Sequence, residues 1–453
     1  MRDNIIKSLR NRENEMISSI QEIVRIDSVL DEKSATKEKP FGEGVDLAIR
    51  KALEIAERLG FRTFYGDGYY GYAETGEGEE MIGILGHVDV VTVGDESIWK
   101  FPPFAAEISD GKIYGRGTQD DKGPVITAMY AVKALLDAGV SFNKRIRFIF
   151  GGDEENQWRC ISKYNENNEE IPSMSFTPDS SFPATNAEKG LIQFYINGKG
   201  SDKTELSNTG ALNAVPGKAV YKGSNFNNII KALENTVYKY EIKNHSEDYG
   251  ELYVYGKRVH SANADKGINA IEGLCKILLE SGIDEPVIKF AAEVSDSVGS
   301  KIIPDCRDDV SGTLTLNLAE IVISRDKSYL GFDSRVPVTY EMKDFKNAVV
   351  EKANNYGLEY EEVDCVNSLY IAKDSPLVST LASIYEEETE LSGSPISSGG
   401  ATYARAIDNC VAFGALFPYD EMTEHQENER AEIKNIIKAS EIYALSVYKL
   451  LNM

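Results

Sequence analysis

Four histidines are all the imidazole this 453-residue chain carries, and its five cysteines, Cys160, Cys275, Cys306, Cys365 and Cys410, are odd in number and far apart. No CxxC spacing occurs, so neither a disulfide framework nor a thiolate metal site is indicated, and buried reduced thiols are expected. Positive charge is also scarce: 49 Lys and Arg stand against 73 Asp and Glu, a net charge of −24. Nucleic acid and anionic membrane both require clustered cations, so neither is expected as a partner. Long apolar runs are missing as well. Residues 1–29 alternate charges with Ile5, Ile6, Leu9, Met16, Ile20 and Val24 instead of forming a signal-peptide core, and no membrane-length run follows. A cytoplasmic protein is expected.

What the chain has instead is carboxylates at turns. The central one is Gly115-Arg116-Gly117-Thr118-Gln119-Asp120-Asp121-Lys122-Gly123-Pro124, a glycine-punctuated turn ahead of a helical pattern. Gly86-His87-Val88-Asp89 precedes it, and Asp153-Glu154-Glu155-Asn156, Thr177-Pro178-Asp179 and Glu424-His425-Gln426 follow it. Two of these clusters come directly after strand-like runs at 81–85 and 146–150, a third closes the run 175–179, and the carboxyl ends of strands are where open α/β sheets bind ligands. Taken singly, each has a plainer explanation, a helix N-cap for Asp120-Asp121 or a solvated loop for Glu154-Glu155. Together they form the pattern of a two-metal hydrolase.

The length exceeds one ordinary core, so two or three domains are expected. Helical periodicity covers much of 1–29, 45–59 and 124–138, and a hairpin is expected over 61–65 and 69–73. After Glu188-Lys189-Gly190 the texture changes to longer alternating runs, with strands expected at 191–196, 251–259, 312–318, 320–324, 331–336 and 358–363 and helices near 227–237, 268–279 and 342–354. From Pro376 a helix-rich texture returns, followed by a strand at 411–416 and a final helix from Ala431. The expected organisation is a discontinuous α/β catalytic domain, 1–187 and 375–453, with a central mostly parallel sheet flanked by helices, and an inserted α+β unit over 188–374.

Two neighbouring cations repel unless an anion lies between them, and Asp120 is the candidate bridge. His87 and Asp179 would complete one ion and Glu155 with His425 the other, mixed nitrogen and oxygen ligation that suits zinc and also manganese or cobalt. Asp89 would hold the far ring nitrogen of His87 or steady the local turn. Glu154, beside a ligand but not itself one, is placed to carry a proton as general base.

At these residues the sequence resembles the di-metal aminoacylase, carboxypeptidase and dipeptidase superfamily, and within it the bacterial peptidase V-like dipeptidases, kin to carnosinases. Gly86-His87-Val88-Asp89-Val90-Val91, the run from Tyr114 to Pro124, Asp153-Glu154-Glu155-Asn156-Gln157-Trp158 and Phe176-Thr177-Pro178-Asp179-Ser180 match that family's blocks in order. The resemblance implies His87, Asp120, Glu155, Asp179 and His425 as ligands of two divalent ions and Glu154 as base toward a water between them. It implies a lid, whose motif Val259-His260-Ser261-Ala262 matches, with His260 polarising the substrate carbonyl and Arg335 and its amide partner Asn213 on the substrate carboxylate. Ser398 to Tyr403, with Gly400 and Thr402, resembles the glycine-rich loop that cradles that end, although Ala401 stands where a third glycine is usual. The length of the insert implies a lid of two ferredoxin-like layers, the second replacing a neighbouring subunit, and hence a monomer.

The expected activity is a metal-dependent dipeptidase acting on small peptides with a free C-terminal carboxylate. An N-acyl amino-acid deacylase or carboxypeptidase on the same scaffold is the alternative, and a non-catalytic metal-binding protein a remote one. Intact Glu154 and His260 count against the last, since binding alone needs neither.

Overall fold

The structure, a computed structural model, describes residues 1–453. The chain divides into two compact units: 1–186, 371–396 and 402–453 form the first, and 187–370 with 397–401 the second. No helix is long and apolar enough to cross a membrane.

The first unit is built on a mixed sheet flanked by helices. Its strands run in the spatial order Arg62–Gly66, Tyr70–Thr75, Arg145–Gly151, Met81–His87, Met174–Thr177, Cys410–Ala412 and Thr185–Glu188. The four central strands are parallel, and the flanking pairs are antiparallel. The parallel centre follows from connections long enough to hold helices: Lys122–Asp137 leads to Arg145–Gly151, and Arg159–Glu166 to Met174–Thr177. The 62–75 hairpin turns too tightly for a crossover, so its edge of the sheet is antiparallel. Met81–His87 is buried along its whole length, as a strand covered on both faces must be. Lys122–Asp137 is apolar nearly all round, and it packs against Arg2–Val24 and Ile433–Leu451.

The second unit holds a five-stranded antiparallel sheet, Leu206–Asn208, Thr315–Ile323, Lys327–Val336, Gly190–Lys199 and Glu359–Val366, and a three-stranded one, Lys218–Gly223, Tyr249–Tyr255 and Lys239–Ser246. One continuous apolar core joins them, with Phe194 and Phe332 from one sheet, Leu252 and Val254 from the other, and Leu274, Phe290 and Phe345 from helices.

Several expectations change in detail. The strands expected at 312–318 and 320–324 are one strand, Thr315–Ile323, with a bulge between Leu318 and Glu320. The bulge switches the inward phase from Leu316 and Leu318 to Ile321 and Ile323, which reads locally as a break. The run at 411–416 is instead two short strands, Cys410–Ala412 and Ala415–Leu416, which pair in different sheets. Lys239–Ser246 is exposed along most of its length, and of its apolar residues only Ile242 packs on the core, too short an apolar alternation to mark a strand locally.

Candidate metal centre

Three parallel strands deliver their next residues to one point at the carboxyl edge of the sheet. Met81–His87 ends on His87, Arg145–Gly151 runs into Asp153-Glu154-Glu155, and Met174–Thr177 runs into Asp179. His87 sits opposite Gly151 in the ladder, so these loops start side by side. The helix after Asp121 can approach because residue 86 is glycine: a Cβ there would lie 1.9 Å from Val125 Cγ2 and 2.6 Å from Asp121 Oδ2.

The side chains converge closely. His87 Nε2 lies 2.9 Å from Asp120 Oδ1, 3.9 Å from Asp179 Oδ1 and 4.0 Å from Glu154 Oε2. On the other side of Asp120, His425 Nε2 is 3.0 Å from Asp120 Oδ2 and 3.0 Å from Glu155 Oε1. Asp120 therefore turns one carboxylate oxygen to each histidine. Two triads, His87 with Glu154 and Asp179, and His87 with Asp120 and Glu155, each bring three potential ligand atoms within 4.8 Å of one another. His87, Asp120, Glu155, Asp179, His425 and Glu154, all singled out from the sequence, are thus one cluster.

Asp89 is buried beside them. Its carboxylate accepts the backbone N–H groups of Glu154 and Glu155, both at 3.1 Å, and so fixes the turn that carries this pair. His87 Nδ1 lies 3.0 Å from the Asp89 carbonyl and 3.5 Å from its carboxylate. With Nδ1–H donating to that carbonyl, Nε2 is the nitrogen turned to the carboxylates, and in the neutral ring it would be the one free to bind a metal ion.

The charge balance of the cluster calls for a cation. Asp120, Glu154, Glu155 and Asp179 have largely buried side chains, and the only cationic partners beside them are His87 and His425. Burial, then repulsion from Asp179, pushes the Glu154 carboxyl well above its usual range. Burial, then Asp120, pushes Asp179 up to about 7 and raises Glu155. Burial opposes charge on His87, but hydrogen bonds to Asp120, Asp179 and Asp89 outweigh it and raise its pKa well above the usual value. Hydrogen bonds to Asp120 and Glu155 raise His425 to about 11. Four packed carboxylates facing two histidines are unfavourable without added positive charge, and their oxygen and nitrogen donors fit divalent metal ions.

Three residues of this region were not singled out from the sequence. Glu429, fully buried, accepts from the backbone of the Asp120 turn. Gln119 binds the loop that leads to His425. The Tyr403 ring stands edge-on to His87, with centroids 6.1 Å apart. Glu, Gln and Tyr are common and their partners lie far away in sequence, so no local signal marks them. Asp121, weighed above as a cap, occupies the N-cap position of Lys122–Asp137 without a side-chain capping bond. Its Oδ2 accepts from His87 N at 3.2 Å instead.

The second unit holds the remaining candidates. His260 is exposed and precedes the short 3-10 turn Ser261–Lys266. Its Nδ1 accepts the Ala262 N–H at 3.1 Å, which leaves Nε2 as the proton-bearing nitrogen of the neutral ring. Surrounding protein, then the Arg335 charge, lowers its pKa. Arg335 is buried and already engaged: Nε and Nη2 donate to Asp333, and Nη1 donates to the Gly399 carbonyl at 2.7 Å. Asn213 is exposed, and its carbonyl accepts the Ser261 N–H at 2.9 Å. Gly400 N–H donates to Ser398 Oγ at 2.9 Å. Thr402 belongs to the first unit, where its side chain caps the turn Tyr403–Ala406.

A parallel sheet centre that ends in clustered carboxylates and histidines is a candidate site for divalent metal ions, and similarity to known proteins supplies the class, a metal-dependent peptidase. The family described as Peptidase family M20/M25/M40 matches residues 83–449, and the chain belongs to it. The Bacillus subtilis protein named "Putative dipeptidase YtjP" is 37% identical over 464 residues, covering 98% of this chain and 99% of that protein. Among solved structures, human carnosine dipeptidase 1 superposes with a TM-score of 0.59 at 15% identity, covering 100% of both chains. The Saccharomyces cerevisiae di-peptidase Dug1p gives a TM-score of 0.62 at 12% identity, covering 100% of this chain and 99% of that one. At such identities the structural likeness speaks for the fold.

Proposed function

We propose that the protein is a dipeptidase that hydrolyses the amide bond of small peptides with a free C-terminal carboxylate, using two divalent cations, zinc first with manganese or cobalt able to substitute. The observation that carries this reading is the position of Asp120, which turns one oxygen to His87 at 2.9 Å and the other to His425 at 3.0 Å. A carboxylate shared in this way suits a bridge between two ions, with His87 and Asp179 on one side and Glu155 and His425 on the other. Near-full-length similarity to a protein named as a dipeptidase supports the substrate class.

When bound, the ions would supply positive charge to polarise a water and the scissile carbonyl. Glu154 accepts the proton of the attacking water and passes it to the leaving nitrogen, a task suited to a carboxyl whose buried setting favours holding a proton. Asp89 keeps Glu154 and Glu155 in place through their backbone N–H groups. His260, with Nε2 as a donor, is assigned to the developing oxyanion. Arg335, oriented by Asp333, and Asn213 are assigned to the substrate carboxylate, with Gly400 and Thr402 in the loop beside it. The active form is a monomer without nucleic-acid or membrane partners.

The test combines elemental analysis with assays on free dipeptides and N-acetylated amino acids. Two ions per chain, hydrolysis of free dipeptides and loss of activity on chelation are expected. Unchanged turnover in verified metal-free protein would sink the metal mechanism, and preference for N-acetylated substrates would make the protein a deacylase.

A further inference from the structure

His425 is the least supported member of the cluster. Its side chain is 52% exposed, it lies in a stretch without helix or strand between 417 and 429, and its φ of 59° is left-handed, a backbone state that a non-glycine residue keeps only when its surroundings impose it. The imposing contacts are specific. Gln119, one residue before Asp120, donates from Nε2 to the Glu421 carbonyl at 2.9 Å and accepts the Thr423 N–H at 2.8 Å and the Thr423 hydroxyl at 2.9 Å. In return Glu429, four residues past His425, accepts the N–H groups of Gly117 at 3.0 Å, Gln119 at 2.8 Å and Asp120 at 3.3 Å on a single oxygen. Its other oxygen accepts from Arg116 Nη1 at 2.7 Å. Asn428 adds an outer tether, donating to the Ile98 carbonyl at 3.0 Å. Each segment thus holds the other by a buried side chain read against backbone.

We propose that Gln119 and Glu429 form a reciprocal clamp that sets the Asp120 to His425 spacing and through it the affinity for the ion on the His425 side. The proposal rests on the two-ion reading above. Gln119 and Glu429 are positioning residues, since neither side chain contacts the cluster's ligand atoms. The ion on the His87 side depends on the clamp only through the shared Asp120, whose turn Glu429 still holds when the Gln119 bonds are lost, because His87 and Asp179 follow strands of the central sheet. The two ions should therefore respond differently to its loss.

The test is a cobalt(II) titration of metal-free protein followed by visible absorption, in the unmodified enzyme and in Gln119→Met, which keeps the volume and removes these hydrogen bonds. The expected result is one ion bound as tightly as in the unmodified enzyme and the other weakened about 10- to 100-fold with an altered ligand-field spectrum, the usual scale for groups that orient ligands. Excess cobalt should restore kcat with KM unchanged. Thr423→Val, which removes the hydroxyl that donates to Gln119 and accepts from the Arg430 N–H but leaves the backbone bond of residue 423 to Gln119, should shift the same ion by less and serves if the methionine variant does not fold. Two ions bound with unaltered affinity and spectrum in these variants would overturn the clamp. Fewer than two cobalt ions in the unmodified enzyme would overturn the two-ion reading, and the clamp with it.

Discussion

Asp333 grips Arg335 at two points, Oδ1 accepting from Nε at 2.9 Å and Oδ2 from Nη2 at 3.2 Å, where both side chains are almost wholly buried. The residues are i and i+2 on strand Lys327–Val336 and so share one face. A substrate carboxylate would meet a guanidinium whose orientation is already chosen.

Asp333→Ala should therefore destabilise the inserted unit by about 3–5 kcal/mol, the cost of leaving a buried charge unpaired. Urea unfolding measures this. Arg335→Ala should also raise KM or lower kcat for free dipeptides while amidated dipeptides, already poor substrates, change little. Equal losses on both substrates would remove Arg335 from carboxylate recognition.

Glu154→Ala should lower kcat by about two to four orders of magnitude, the usual worth of a general base. Elemental analysis should still find the full metal content. Because Glu154 also lies 4.0 Å from His87 Nε2, loss of an ion from this variant would transfer Glu154 to the ligand set.

Glu272, in the second unit, gives a further pH dependence. It is buried in the first turn of Ala270–Glu280, its Oε1 has no hydrogen-bond partner, and burial pushes it from 4.5 up to about 7, with Lys276 opposing and Asp296 adding to the rise. The folded state holds this proton more tightly than the unfolded chain. Below about pH 4.5 both states are protonated and no penalty exists; from there to about pH 7 stability falls as pH rises, by about 3 kcal/mol in all. Glu272→Gln should be more stable than the unmodified protein at pH 7.5 and nearly equal to it at pH 4.5 in urea melts. An advantage independent of pH would contradict the assignment.

If His260 acts within its own chain, mixing inactive His260→Ala chains with inactive Glu154→Ala chains under subunit exchange should leave the mixture inactive. Recovered turnover would show complementation between chains, and the monomeric form would have to be abandoned.

What the sequence determined by itself was everything written in short range. Strand periodicity and glycine-rich turns are local, so His87, Asp120, Glu155 and Asp179 were legible as ligand candidates at strand ends, and the spacing of Met342–Asn354 as a helix. His425 was legible because histidine is rare here and this one sits among acidic residues. The Asp333 to Arg335 pair was within reach of the same reasoning, since a two-residue spacing on a strand puts both on one face, yet nothing local tells whether such an arginine is already satisfied. Only the tertiary structure decided that Asp120 faces both histidines, that Asp89 binds the Glu154 and Glu155 backbone, and that Glu429 and Gln119 join segments some 300 residues apart, with separations of 310 and 304. The Asp89, Glu429 and Gln119 contacts are made to backbone groups that almost every residue possesses, so their partners leave no mark in the sequence, and they exist because packing the central sheet and its helices brings the segments together.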